Sequence, residues 1–177
     1  MKASDSCKIQ KIAEENRVLT REDLNQIVMI AHLTDAMQDR LAQIIDEFKF
    51  DKDEIVFKEG EPAERLYMLR SGSVLLEQRI SDKVTAIVGS VKPGFSFGWS
   101  AMVDNGVYTT EAVCIEPSEI YSFKRDKINK LFEEDPEMGF RMYRRLLELI
   151  KTRLDYRTGQ FQQAIKDHPD LLNLFRT

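Results

Sequence analysis

Acid–base, nucleophilic and metal chemistry usually starts with histidine and cysteine, and this chain has two of each: His32, His168, Cys7 and Cys114. Histidine is the usual general base near neutral pH and the commonest metal ligand. Neither histidine stands in a G-x-S-x-G, H-E-x-x-H or H-x-H context. A Ser–His–Asp or Cys–His site assembled in space stays open, but surface or capping roles account for both histidines more simply. The cysteines lie far apart and form no C-x-x-C, which excludes a Cys₄ zinc ribbon and offers no disulfide framework. The chain is therefore expected to be non-enzymatic, with no catalytic residue, no metal and no resident cofactor.

Composition narrows the classes further. Over 177 residues, 42% are apolar and 32% charged, enough apolar material for a core under a soluble surface. A formal charge of −4 and a pI near 5.4 weigh against a surface built to hold nucleic acid. No run of about 18 apolar residues occurs, so no transmembrane helix is predicted. Met1 to Arg17 is polar and lacks the apolar segment of a secretory signal. A cytoplasmic location with no membrane contact is the expectation.

Three regions must position whatever chemistry there is. Residues 1–47 read as helical. Thr20 and Asp23 resemble a capping box ahead of Leu24, Ile27, Val28 and Ala31, and a second helix from Thr34 or Asp35 carries Met37, Leu41, Ile44 and Ile45. In the second region, residues 48–135, the period changes to two from Phe48 to about Phe123. Short runs at Glu54–Phe57, Leu66–Leu69, Val74–Leu76, Val84–Val88, Ala112–Ile115 and Ile120–Phe123 are parted by turn signals such as Ser71-Gly72, Ser81-Asp82 and Pro93-Gly94. They predict a closed or sandwiched β body, and an α+β, mainly β chain overall. Phe97 to Thr110 is too polar at Asp104-Asn105-Gly106 to be strand throughout, and Lys124 to Glu134 predicts a short helix.

Residues 136–177 restart as a helix. Asp135 supplies an N-cap acid and Pro136 the first helical position, and the helix runs to about Ile165. Tyr143, Leu147, Ile150, Leu154 and Phe161 keep a period of 3.5, interrupted by Arg157. Met142, Leu146 and Leu149 form a second stripe. Two stripes predict a helix that packs on its own domain and on a second copy of itself. Gly159 weakens its end by about 1 kcal/mol relative to alanine.

This order of elements resembles a known family, and specific residues carry the resemblance. The run Asp53-Glu54-Ile55-Val56-Phe57-Lys58-Glu59-Gly60-Glu61-Pro62-Ala63-Glu64-Arg65-Leu66-Tyr67-Met68-Leu69-Arg70-Ser71-Gly72-Ser73-Val74 is similar to the first barrel strands of cyclic nucleotide-binding domains. Pro93-Gly94-Phe95-Ser96-Phe97-Gly98 resembles their approach to the ligand. The likeness is greatest to the sensor half of Crp/Fnr-type bacterial regulators and covers roughly Leu33 to Ile165. It implies a double-stranded β-helix (a jelly-roll barrel) flanked by N-terminal helices, with a long C-helix that dimerises.

The resemblance also implies where a ligand would sit. In that family a short helical turn after a glycine offers backbone N–H groups to the cyclic phosphate. A glutamate next to the glycine takes the ribose hydroxyl, and an arginine near the end of the insertion takes the phosphate. Phe97 and Gly98 match the approach, but the two gripping positions read Trp99 and Tyr108. Tryptophan offers one donor and no acceptor, and tyrosine carries no positive charge. Ser100, Thr109 and Thr110 remain as hydroxyl donors and Arg153 on the long helix as a cation.

Three readings stay open for this site: a cyclic nucleotide held in a changed mode, a different planar ligand stacked on Trp99, or a pocket filled by its own side chains. In the last, Tyr108 plugs the phosphate position. Trp99 also suits a core or lid role, and Glu111 a solvent-facing one. Arg141, Arg144, Arg145, Lys151, Arg153 and Arg157 read mostly as solvated flanks of the seam, with Arg157 pairing across a dimer or reaching toward the pocket.

Taken with the family, these residues imply a small-molecule-sensing regulatory module that homodimerises through Tyr143, Leu147, Ile150, Leu154, Arg157 and Phe161 and signals to an effector protein. A true cAMP or cGMP regulator and a scaffold with a dead pocket are the alternatives. Twelve residues follow Ile165, too few for a helix-turn-helix, so direct DNA binding is not expected. A cupin-type enzyme or a haem sensor needs histidines inside the barrel, and residues 48–123 contain none, which leaves Cys114 as the available thiolate there. An iron–sulfur variant needs about four cysteines.

Overall fold

Alternating apolar and polar residues build eight short strands, and glycine- or proline-marked turns fold them back on one another. The computed structural model describes residues 21–168. Thr20 of the expected capping box, Cys7, and the tail beyond His168 lie outside the described residues. Two helices come first, α1 (Arg21–Asn25) and α2 (Asp35–Ala42). Thr34 caps α2 as expected, its Oγ1 accepting the Met37 N–H at 3.4 Å.

Helix α2 stops at Ala42, short of the expected extent. Ile45 opens a strand, β1 (Ile45–Phe50), so the helical segment does not run to residue 47. The reason is a period-two pattern whose inward positions are Asp46, Phe48 and Phe50. An inward-facing acid hides that alternation from a purely apolar count. Asp46 is tolerated there because Arg65 meets it at 2.8 Å, and Arg65 also donates to Ser122 Oγ at 2.6 Å. The Arg65 guanidinium lies 5.0 Å from the centre of the Phe48 ring. Side-chain exposures of 16% and 7% make this a buried ion pair with its hydrogen bonds filled.

The remaining strands are β2 (Ile55–Phe57), β3 (Arg65–Ser71), β4 (Val74–Ser81), β5 (Val84–Val91), β6 (Ser96–Phe97), β7 (Glu111–Cys114) and β8 (Ser118–Lys124). They form two four-stranded antiparallel sheets, ordered β1-β8-β3-β6 and β2-β7-β4-β5. This is the expected jelly roll. Phe57, Leu66, Met68, Leu76, Phe97, Ile120 and Phe123 are buried in its core. Strands β1 and β6 are additions to the sequence reading, and the others lie where the alternation put them.

Helix α3 (Arg125–Glu134) and helix α4 (Pro136–Asp167) follow. Asp135 separates them: its N–H closes on Leu131 O, while its Oδ1 accepts the Met138 N–H at 3.0 Å. Its Oδ2 accepts from Arg40 at 3.0 Å, and Arg40 also meets Glu134 at 2.9 Å. The chain divides into two units, residues 1–139 and 140–177, and α4 beyond its first turn lies in the second. Along α4 the two expected stripes are distinct. Met142 and Leu146 are buried and Leu149 half-buried, whereas Tyr143, Leu147, Ile150, Leu154 and Phe161 are exposed. Phe140 is exposed too and extends the exposed stripe by one step. Helix α4 continues through Gly159, supported by pairs such as Lys151–Asp155.

Candidate functional site

The insertion between β6 and β7 is held to the β2–β3 turn by backbone hydrogen bonds. Tyr108 N–H donates to Glu61 O at 2.9 Å, Gly60 N–H to Tyr108 O at 2.8 Å, and Ala63 N–H to Gly106 O at 2.9 Å. These bonds fix the Tyr108 backbone, and its side chain turns into the core. Its ring stacks on Phe57 with centroids 3.8 Å apart and planes 16° off parallel. Tyr67 and Phe97 complete the cluster, 5.4 Å apart, each within 6 Å of Phe57.

Every bonding position of the Tyr108 hydroxyl is taken. It accepts the Arg65 N–H at 3.1 Å, donates to Arg65 O at 2.8 Å, and meets the Tyr67 hydroxyl. Burial, reinforced by Tyr108, pushes the Tyr67 phenol far above the ordinary tyrosine range, and burial raises Tyr108 as well. Both rings are neutral, so neither supplies charge to an anion.

Gly98 makes the entry to the insertion. Its φ of 72° is left-handed, and a Cβ there would stand 3.0 Å from Tyr67 Cδ2 and 3.3 Å from Arg65 O. A 3₁₀ turn, Trp99–Met102, follows and closes with Val103 N–H on Ser100 O at 3.2 Å. The half-buried Trp99 directs its indole N–H to Ser96 Oγ at 2.9 Å, which spends its one donor inside the protein.

The structure thus brings Phe97, Gly98 and Tyr108 together with Phe57 and Tyr67, two residues the sequence reading did not single out. Phe97 and Tyr108, expected as ligand contacts, are buried with their contacts in the core. Ser100 and Thr110 are half-buried and Thr109 exposed. Arg153 lies in the second unit, half-buried, and burial together with like-charged Arg157 one turn on lowers its pKa. Cys114 departs from expectation: it is fully buried on β7, and burial pushes its thiol up to about 11, so it is no available thiolate.

An open recess of about 630 Å³ lies on the β2-β7-β4-β5 sheet, lined by Lys58, Glu59, Glu77, Arg79, Thr85 and Glu111 among others. Of these, Lys58 and Glu59 belong to the run that carries the family resemblance, and the sequence reading weighs Glu111 only as a solvent-facing residue. Among the described residues, no group of His, Cys, Asp and Glu is placed to hold a metal ion, and no helix is long and apolar enough to cross a membrane.

Residues 47–135 match the family described as cyclic nucleotide-binding domain. The chain is 28% identical over 111 residues to a CRP-like cAMP-activated global transcriptional regulator of Mycobacterium tuberculosis, an alignment covering 63% of this chain and 50% of that one. It therefore spans about half the length of that relative. A candidate cyclic nucleotide-binding protein of Geobacter metallireducens GS-15 superposes with a TM-score of 0.68 at 26% identity, over 77% of this chain and 98% of that one. The Thermus thermophilus catabolite activator protein has the same fold, with a TM-score of 0.66 at 20% identity over 77% of this chain and 62% of that one.

Proposed function

Because the chain belongs to the cyclic nucleotide-binding domain family, we propose that it is a non-enzymatic, ligand-sensing regulatory module that no longer grips a cyclic phosphate in the family's manner. The observation that carries this reading is the state of Tyr108. At the position where the resemblance calls for a phosphate-binding arginine stands a buried ring, stacked on Phe57, with its hydroxyl spent on Arg65 and Tyr67. A phosphate placed there would lose a charge-assisted pair worth about 1.5–3 kcal/mol and gain no replacement cation from the cluster. The ligand is a small planar molecule of lower charge, held beside Trp99, Ser100 and Thr110.

In this reading the protein works in the cytoplasm as a homodimer. The exposed stripe Tyr143, Leu147, Ile150, Leu154 and Phe161, with Arg157 in its seam, pairs with its copy in a second chain. Ligand signals to an effector protein by binding one arrangement of the paired helices better than the other, the requirement for any such coupling.

Titration calorimetry with cAMP, cGMP and a panel of nucleosides and planar metabolites tests the proposal. Fluorescence of Trp99, the chain's one tryptophan, reports directly on the site. The expected result is no micromolar binding of cAMP or cGMP, and a saturable fluorescence change with a panel member. Micromolar binding of cAMP by the unaltered protein overturns it. A second reading, a scaffold whose recess is filled by its own rings, is favoured by the same aromatic stack. It predicts no thermal shift with any panel member.

A further inference from the structure

The insertion between β6 and β7 turns at Val103-Asp104-Asn105-Gly106, where Gly106 N–H donates to Val103 O at 3.1 Å and closes a four-residue turn. Asn105 stands third in it with a φ of 52°, and Asp104 before it has no positive φ, which is the pattern of a type II turn. Glycine and asparagine meet that left-handed place at least cost. The fourth place is fixed by packing: a Cβ on Gly106 would collide with Ser100 O and stand 3.0 Å from Val103 O. Turn geometry and packing together write an Asn-Gly pair, and the sequence holds no other. Asn16, Asn25, Asn129 and Asn173 are followed by arginine, glutamine, lysine and leucine.

That pair carries intramolecular chemistry. The side-chain carbonyl of an asparagine lies one ring closure from the backbone nitrogen of the next residue, and a glycine, without a Cβ, leaves that nitrogen unshielded. Gly106 N attacks Asn105 Cγ; the new N–Cγ bond closes a five-membered imide, the Cγ–Nδ2 bond breaks, and Nδ2 leaves as ammonia with the Gly106 proton. Water then opens the imide. Breaking the N–Cγ bond gives aspartate, and breaking the bond to the Asn105 backbone carbonyl gives isoaspartate, whose main chain runs through one extra methylene. Neither step needs an oxidant or a reductant, and Asn105 is exposed to the water that the second consumes. The turn's own hydrogen bond holds the attacking nitrogen against Val103 O, so the reaction waits on local opening of this exposed turn.

We propose that Asn105 is a self-modifying site whose conversion to isoaspartate unclamps the insertion from the barrel. Gly106 is held on both sides, its N–H on Val103 O and its carbonyl accepting the Ala63 N–H at 2.9 Å. Val107 next to it bridges Pro62, and Tyr108 closes on Gly60 and Glu61. An extra methylene ahead of Gly106 lengthens the chain inside this frame by one carbon–carbon bond, about 1.5 Å. Ser100 O bars Gly106 from moving toward it, so the added length is taken up at the bond to Ala63. A carboxylate also arrives beside Asp104. The segment that carries Tyr108 thus loses an anchor, once and without an enzyme.

The full chain, incubated folded in mildly alkaline buffer at physiological temperature, is followed by peptide mass spectrometry, with a protein isoaspartyl methyltransferase as the probe for the β-linked product. Asn105 is expected to convert first, through an intermediate lighter by one ammonia, while Asn25 and Asn129 stay intact. In the converted protein, hydrogen exchange at the Ala63 amide rises about tenfold, the loss of one hydrogen bond. Asn105→Gly keeps the positive φ with no side chain to cyclise, and shows neither change. Conversion of Asn105 no faster than that of Asn25 or Asn129, aspartate as the only product, or Ala63 exchange unaltered after conversion each overturn the proposal. The unaltered protein carries every one of these readouts, so the test stands even where the variant fails to fold.

Discussion

The Tyr108 hydroxyl serves both backbone polar groups of Arg65, accepting its N–H at 3.1 Å and donating to its carbonyl at 2.8 Å. One side chain from the insertion thus does for the start of β3 what a neighbouring strand would do. Removing the hydroxyl while keeping the ring, Tyr108→Phe, leaves those two groups and the Tyr67 hydroxyl without their partner. The expected loss is about 1–3 kcal/mol of unfolding free energy. Urea denaturation reads it as a lower midpoint at constant m-value; an unchanged midpoint contradicts the role given to this bond.

Gly98 is the second test of the packing. Alanine there must hold φ at 72° and place a methyl 3.0 Å from Tyr67 Cδ2. Where φ is positive, Gly→Ala costs more than about 1 kcal/mol, and the contact with the ring adds to it. Thermal unfolding of Gly98→Ala is expected several degrees below the unaltered protein.

Cys114 carries a pH signature. Burial raises its thiol from 9.0 to about 11, so the folded state holds the proton more tightly than the unfolded chain does. The stability this contributes is complete below pH 9 and is lost as pH rises through about 11. Unaltered protein should therefore lose more stability across that window than Cys114→Ala, measured by denaturant titration at each pH. In a Cys7→Ser background, iodoacetamide at pH 8 should label Cys114 only after unfolding.

The exposed stripe of α4 separates association from folding. Leu147 and Leu154 are 67% and 63% exposed, so replacing both by glutamate removes little burial within one chain, a change within about 0.5 kcal/mol each. In a seam between two copies the same changes place charges in an apolar core. Sedimentation is expected to show a dimer for the unaltered protein and a monomer for Leu147→Glu/Leu154→Glu, with unfolding of the monomer intact. A monomeric unaltered protein rejects the seam.

Much of the fold was written in local pattern. The turn signals at Ser71-Gly72 and Ser81-Asp82 and the Asp135-Pro136 restart fall where strands and helices change in the structure. What escaped did so for physical reasons. Strand β1 was hidden because Asp46, inward and paired with Arg65 across 19 positions, breaks the apolar alternation. The two-residue β6 is too short to show a period at all. At the site, the replacement positions Trp99 and Tyr108 were legible from the motif. The rings they join were not, because Phe57 and Tyr67 read as ordinary strand residues, and only the register Tyr67↔Phe97 and the turn at Gly60 bring them together. Glu77 opposite Glu111 is likewise a fact of register, invisible in a chain where the two lie on separate strands.

Asp135 concentrates several tasks in one carboxylate: it ends α3, starts α4 and holds Arg40 of α2. Such a joint is a natural graft point. A foreign helix spliced on after Met138 inherits a ready-made start, its first turn capped by Asp135, with the barrel upstream left untouched. Lineages, or protein engineers, can exchange the outgoing rod for another of different length or pairing preference and keep the same receiver.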